Sequence, residues 1–198
     1  MNAAKTVRTA SAVERERAID TIVLGFAADP FCRWLWPEPA QYLAAMARLV
    51  PIFGGKAFDE GTAYATEGFE ATALWLPRGV EPDEEAMQAL TLETANPEIL
   101  EDVGALFEAM EEFHPEGEIW YLPLIACDPL HIGNGYGGAL MRHALERVDE
   151  SGLPAYLESS NPRNISLYLR HGFEIVGEIQ HGSSPVMTPM LRPARAGD

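Results

Sequence analysis

The run Gly133-Asn134-Gly135-Tyr136-Gly137-Gly138 lies between a strand-like apolar stretch and a helix-like one. Glycine removes the side chains that would hold a bulky anion away from backbone N–H groups. A helix N-terminus immediately downstream adds partial positive charge. The spacing therefore describes a phosphate cradle. It also satisfies G-x-G-x-x-G, with Glu158 about 20 residues further on, so a dinucleotide such as NAD is one candidate occupant. Two features count against that occupant. Asp128 to Ile132 separate the strand from the first glycine, and too few residues follow Glu158 for further βαβ units. No Lys-Ser or Lys-Thr pair follows the glycines, which removes a Walker-type loop. A plain tight turn between strand and helix is the remaining alternative.

Composition narrows the partners. The 198 residues carry Lys+Arg 14 against Asp+Glu 30, a net charge of −16, which argues against nucleic acid or an anionic membrane surface. Such a surface favours approach of a cationic amine, although solubility alone explains it equally well. The two cysteines, Cys32 and Cys127, form no C-x-x-C and suit a reduced, cytoplasmic setting. Met1 to Asp20 contains no apolar signal-peptide core, and no apolar run reaches the roughly 18 residues of a membrane span. The five histidines are scattered without ligand spacing, so no metal site is expected.

The elements that must position the cradle follow from periodicity. Val13 to Ala28 predicts a helix stopped by Asp29-Pro30, and Phe31 to Pro37 an aromatic loop or short turn. A second helix spans Pro39 to Phe53. Thr62–Glu67 and Glu70–Leu76 alternate around Gly68 as an antiparallel hairpin. An acidic helix start at Glu81–Glu85 precedes a helical stripe from Ile99 to Phe113. Ile119 to Cys127 is a near-continuous apolar strand, expected to be covered on both faces, with Pro123 marking a break in its pairing. After the glycines come a helix to Gly152, a strand at Ala155–Glu158, a short helix at Pro162–His171, and strands at Phe173–Ile179 and Val186–Leu191.

The residues Leu124-Ile125-Ala126-Cys127-Asp128-Pro129, followed by Gly133 to Leu140, resemble the acetyl-CoA-binding motif of the GNAT superfamily of N-acetyltransferases. That motif is a hydrophobic strand, a proline-containing turn, then Gln/Arg-x-x-Gly-x-Gly/Ala opening a helix. Gly135 and Gly137 take the glycine positions, and Ile132 stands where Gln or Arg is usual. A second segment is similar to the family's later motif: Asn161, seven residues, Tyr168, then Gly172-Phe173, with Asn164 where alanine is common. The two motifs together span about Tyr121 to Ile179.

The resemblance implies an α/β fold with a bent mixed sheet flanked by helices, the strand at Leu122–Cys127 splaying from that at Ala155–Glu158. It implies one acyltransferase domain over 1–198. Within it, 1–117 form the acceptor side, 118–192 the acetyl-CoA-binding core, and 193–198 a loose tail. Acetyl-CoA, the co-substrate, would lie in the gap. Ile125, Ala126 and Cys127 would meet its pantetheine arm, Ile132, Gly133, Asn134, Gly135, Tyr136, Gly137 and Gly138 its pyrophosphate end; Asn161 would hold the cofactor by side-chain hydrogen bonds, and Tyr168 would stand at its thiol. A backbone N–H near Ala126 or Cys127 would face the developing oxyanion. Tyr168 is the expected acid toward the departing thiolate, and Glu158 the first candidate base, with His114 and Glu118 as others. Asn161 has a competing role as a helix cap. Phe31–Trp36 and Gly182–Pro185 are candidate walls of the acceptor pocket. The acceptor would be a small-molecule amine or a peptide amine; a homodimer is left open, and a catalytically silent CoA-binding sensor is the alternative of a different class.

Overall fold

The computed structural model describes residues 5–195, so positions 196–198 of the expected tail lie outside it. The elements are β1 (Val7–Thr9), α1 (Arg15–Gly25), α2 (Pro30–Leu35), α3 (Pro39–Gly54), β2 (Ala63–Thr66) and β3 (Ala71–Leu76). They continue as α4 (Glu84–Thr94), α5 (Leu100–Phe113), β4 (Trp120–Cys127), α6 (Tyr136–Ser151), β5 (Ala155–Ser159), α7 (Pro162–Leu169), β6 (Glu174–Ile175) and β7 (Thr188–Arg192). The strands form one seven-stranded mixed sheet in the order β1-β2-β3-β4-β5-β7-β6. Among the described residues β4–β5 is the one parallel pair, which is incompatible with the repeated βαβ units of a dinucleotide fold.

Helices cover both faces, as the mixed α/β class requires. On one face Ile22 of α1 and Tyr42, Met46 and Val50 of α3 pack with Leu74, Leu76, Leu124 and Ala126. On the other, Leu140, Ala144 and Val148 of α6 pack with Trp75, Trp120, Leu122 and Leu157. Leu122 and Leu124 differ by two positions yet serve opposite faces. The reason lies in the register: Leu74 pairs with Leu124 but Leu76 pairs with Tyr121, so β4 spends one extra residue in a β-bulge that contains Pro123. The break expected at the proline is present. Coverage on both faces is present too: Trp120 and Leu122 enter the core under α6, Leu124 and Ala126 the core under α1 and α3, and the residues between them are half-buried.

Three other expectations change. Phe31–Leu35 is neither loop nor turn, because Asp29 caps helix α2. Its carboxylate accepts the N–H groups of Phe31 at 3.0 Å and Cys32 at 3.2 Å, and Pro30 fills the first helical position, where no N–H is needed. The Asp-Pro pair that stops α1 thus starts α2. The strand expected over Phe173–Ile179 contracts to Glu174–Ile175 plus an isolated bridge between Ile179 and Met187. Strand β1, three residues against β2, was not expected.

One buried charge ties the second half together. Arg192 of β7 is 2% exposed and holds Asp149 of α6 through two hydrogen bonds of 2.6 and 2.9 Å. Its Nε donates to the carbonyl of His171, at the end of α7, at 3.0 Å. Removing one partner of such a pair leaves a buried charge without compensation. Asp149→Ala is therefore expected to lower unfolding free energy by roughly 2–3 kcal/mol in denaturant titration, while Asp149→Asn, which keeps an acceptor, costs about half as much.

Candidate active site

The site begins where β4 and β5 stop pairing. Their parallel ladder contains only Trp120↔Ala155 and Tyr121↔Tyr156. Beyond the bulge, Leu124–Cys127 of β4 and Leu157–Ser159 of β5 have no partner across the gap. Hydrogen-bonding direction alternates along a strand, and the direction here is fixed by neighbours. Ala71 N–H turns to Thr66 Oγ1 at 3.1 Å and Trp75 N–H to the Thr62 carbonyl at 3.2 Å, so the odd residues of β3 face β2. The even ones, Thr72 and Leu74, face Ala126 and Leu124. The main-chain groups of Ile125 and Cys127 therefore face the gap. Ala126 does not: its amide belongs to the β3 ladder, which removes it as an oxyanion donor and leaves Cys127 and Ile125.

At the far end of the same gap, Gly133 and Gly135 adopt left-handed backbone with φ of 82° and 83°, which L side chains rarely adopt. A Cβ at either would meet nothing within 4 Å, so their requirement is conformational. Gly137 differs, since a Cβ there would come within 3.2 Å of Leu167 of α7. Helix α6 starts with no side-chain cap, and its first main-chain bond outside the helix interior is Ala139 N–H to Gly135 O at 3.1 Å. The N–H groups of Tyr136, Gly137 and Gly138 are thus open to an anion. Ile132 is 67% exposed, and Asn134 Nδ2 donates to the His131 carbonyl at 3.2 Å. Tyr136 instead packs under Lys5, whose ammonium lies 4.1 Å from the ring centroid.

A cavity of about 530 Å³ continues from the gap toward α3, α4 and α5. Glu158, Tyr168 and Ile125 line it, together with Tyr121, His114, Ser160 and Asn164. Tyr121 donates a 2.8 Å hydrogen bond to Glu158 Oε2. Burial raises the Glu158 carboxyl to about 7, against the pull of that hydrogen bond. The Tyr168 phenol, 5% exposed and without a hydrogen-bond partner among the described residues, is pushed above its ordinary value by burial and stays protonated. Cys127 is raised to about 11 by burial and by nearby Asp128, which leaves no thiolate for covalent chemistry.

Other expected residues fall elsewhere. Asn161 Oδ1 caps α7 by accepting from Arg163 N–H at 3.1 Å, so its oxygen is committed to the helix. Glu118 is exposed, paired with Arg78 at 3.1 Å, and outside the cavity. Phe31, Cys32, Leu35 and Trp36 line the cavity as expected of that segment, but Gly182–Pro185 does not. Ser183 is clasped instead by Asp102, at 2.8 Å through its N–H and 2.9 Å through its hydroxyl, and by Trp34 Nε1 at 3.1 Å. Asp29 was read only as a helix stop. It is buried, and besides capping α2 it accepts from Ser160 Oγ at 2.7 Å, fastening α2 to the β5–α7 turn. Three bonds hold it, and it does not line the cavity; it positions rather than reacts.

Residues 99–173 match the model of the acetyltransferase (GNAT) family. This stretch contains the cradle, the gap and Tyr168. Across the whole chain the GNAT fold is shared with solved acetyltransferases. One is histone acetyltransferase HPA2 and related acetyltransferase from Corynebacterium glutamicum, at 23% identity and TM-score 0.68, with 98% of each chain covered. The polyamine N-acetyltransferase of Drosophila melanogaster follows at 14% identity and TM-score 0.64, covering 94% of this chain and 98% of that one. Arylalkylamine N-acetyltransferase 2 from Aedes aegypti gives 12% identity and TM-score 0.66, covering 96% and 99%. At these identities the likeness carries the fold.

The raised Glu158 has a consequence for stability. Folded and unfolded chains both protonate it below 4.5, its ordinary value; above about 7 both ionise it, and the folded state then bears the full cost of a buried charge. The stability of Glu158→Gln relative to the parent chain is expected to grow as pH rises from 4.5 to about 7, then to level off. Denaturant melts at a series of pH values check this, and a difference independent of pH would contradict it.

Proposed function

We propose that the chain is an acetyl-CoA-dependent N-acetyltransferase acting on a primary amine by direct attack within a ternary complex. The observation that carries this is a sequence of parts: an anion cradle, a strand gap with unpaired main-chain groups, and a cavity lined by Glu158 and Tyr168. The proposed acetyl-CoA core runs from 118 to 192, and 1–117 supply most of the acceptor side.

The fit of acetyl-CoA rests on what each part lacks. The N–H groups at the start of α6 lack acceptors, and a pyrophosphate supplies them. Ile125 and Cys127 lack a strand, and the amides of a pantetheine arm pair with such groups as an added strand does. The bound thioester supplies an activated acetyl carbon next to the cavity.

Each protein group then has one task. Glu158 takes a proton from the ammonium form of the acceptor. At about 7 it is a stronger base than an ordinary carboxylate and is still substantially ionised at neutral pH. Tyr121 holds that carboxylate in place. The neutral amine attacks the carbonyl carbon; the C–N bond forms and the C–S bond breaks. A gap-facing N–H of Ile125 or Cys127 meets the oxyanion, a contribution typically worth roughly 3–4 kcal/mol. Tyr168 gives its proton to the departing thiolate, the proton shed by the newly acylated nitrogen returns to the phenolate, and Glu158 releases its own proton to solvent. That an amine is the acceptor is in line with solved relatives described as agmatine, polyamine and arylalkylamine N-acetyltransferases. A catalytically silent sensor would have no need of a base and an unpartnered phenol facing one cavity.

The test is thiol release from acetyl-CoA across a panel of primary amines, with calorimetric binding of acetyl-CoA and of NAD beside it. Binding of acetyl-CoA alone and amine-dependent release are expected; NAD binding, or no release with any amine, would overturn the proposal. Tyr168→Phe is expected to lower kcat by about 10²-fold with acetyl-CoA affinity nearly unchanged, and Glu158→Gln to lower kcat/KM by roughly 10²–10³-fold. Glu158→Gln should also abolish a rise of kcat/KM with pH centred near 7.

A further inference from the structure

The last rung of the β4–β5 ladder pairs Tyr121 with Tyr156. Tyr156 and Glu158 lie two positions apart on β5, so the pleat turns them to one face. The two phenol rings stack, with centroids 6.2 Å apart and planes at 24°. His114, directly after α5, stands across both, 5.8 Å from Tyr121 and 5.2 Å from Tyr156. The three rings brace one another beside the Glu158 carboxyl.

The two hydroxyls fare differently. Tyr121 donates to Glu158 Oε2 at 2.8 Å. Tyr156 is 0% exposed, and its hydroxyl has no partner among the described residues. Nor does a second side chain donate to the Glu158 carboxyl among them. Tyr156 and Glu158 are nevertheless close enough for each to act on the other's ionisation. A buried donor without an acceptor thus adjoins a carboxylate with room for another bond. Tyr156 does not line the cavity, so a molecule bound there does not compete for its hydroxyl. The ionisable groups that line the cavity beside Glu158 and Tyr121 are Tyr168, Cys32, Glu81, Glu84, Glu111 and His114. None of these six hydrogen-bonds to Glu158 among the described residues, although Glu84 acts by its charge on Tyr121.

We propose that Tyr156 is a positioning residue for Glu158: its hydroxyl donates to the ionised carboxylate, which is then held by two phenols, one from each strand where they part. The catalytic meaning of this grip rests on the transferase reading; the grip itself does not. A hydrogen bond to a charged oxygen is stronger than one between neutral groups, so the grip favours the ionised form. It thereby opposes the upward push of burial and fixes the direction in which the base presents its free lone pairs.

The test is a carbon-13 NMR titration of the free chain, labelled at glutamate side-chain carboxyls, from about pH 5 to about 9. The signal that Glu158→Gln deletes is Glu158's own, which separates it from the titration of its neighbours. The parent midpoint is expected at about 7. Tyr156→Phe should move it upward by about one unit, as Tyr121→Phe should, because each removes a donor to the charged form. A hydroxyl that only packs would leave the midpoint where it was, and an unmoved or lowered midpoint in Tyr156→Phe overturns the inference. If that variant does not fold, the ζ-carbon signal of Tyr156 in the parent chain decides. It should move with the Glu158 midpoint and stay flat in Glu158→Gln; a flat signal in the parent overturns the inference. Thiol release with acetyl-CoA and amines is read separately, and the midpoint of kcat/KM in Tyr156→Phe should rise by the same amount as the carboxyl's. A shifted carboxyl midpoint without release from any amine would remove the transferase reading and leave the grip standing. Release with an unmoved midpoint would do the reverse.

Discussion

The parting of β4 and β5 after two residue pairs is the constraint on which the rest of the structure depends. It has an identifiable origin. Pro123 has no N–H to give a ladder, and the bulge around it adds one residue to β4 relative to β3. That extra residue reverses the faces of the strand, sending Leu122 to the α6 core and Leu124 to the α1/α3 core. β4 keeps its antiparallel bond to β3 throughout, so the strain of the bend falls on the parallel side, where pairing ends. Unpaired main-chain groups in a half-buried gap are costly unless water or a ligand satisfies them, at about 1–3 kcal/mol each. The gap is thus prepared for something with amides of its own.

Everything that flanks the gap holds it open rather than closing it. Asp29 fixes α2 to the β5–α7 turn through Ser160, and Arg192 fixes β7 to α6 and to the end of α7. Tyr168 and Glu158 thereby stand on elements anchored on both sides and line one cavity. Burial then acts on them in a useful sense. It raises the carboxyl into the range of a base at neutral pH and keeps the phenol protonated.

Much of this frame was legible in the sequence, because the long elements have clean periods. The stripes of α3, α5 and α6 and the hairpin of β2 and β3 lie near their expected places, and Pro123 marked the pairing break. Failures occurred where one signal has two meanings. Asp29-Pro30 is equally a helix end and a helix start, and only the bonds to Phe31 and Cys32 decide between them. Asn161 before proline is equally a cap and a ligand group. Strand β1 is too short for alternation to show. The direction of the Ala126 amide depends on the register with β3, which no local pattern encodes. The cavity was least legible: its residues come from α1 to α5, β4, β5 and α7, and only the aromatic run Phe31–Trp36 hinted at it.

The central claim is that the main-chain groups of Ile125 and Cys127 are free until a thioester carrier pairs with them. Residue-resolved amide hydrogen exchange, with and without acetyl-CoA, tests it most directly. In the free chain Ala126 should exchange slowly, and Ile125 and Cys127 quickly. Added acetyl-CoA should slow at least one of the latter two by tenfold or more, roughly what one new hydrogen bond supplies, and leave Ala126 unchanged. Equal protection of all three in the free chain, or no change at Ile125 and Cys127 on saturation with acetyl-CoA, would contradict the account.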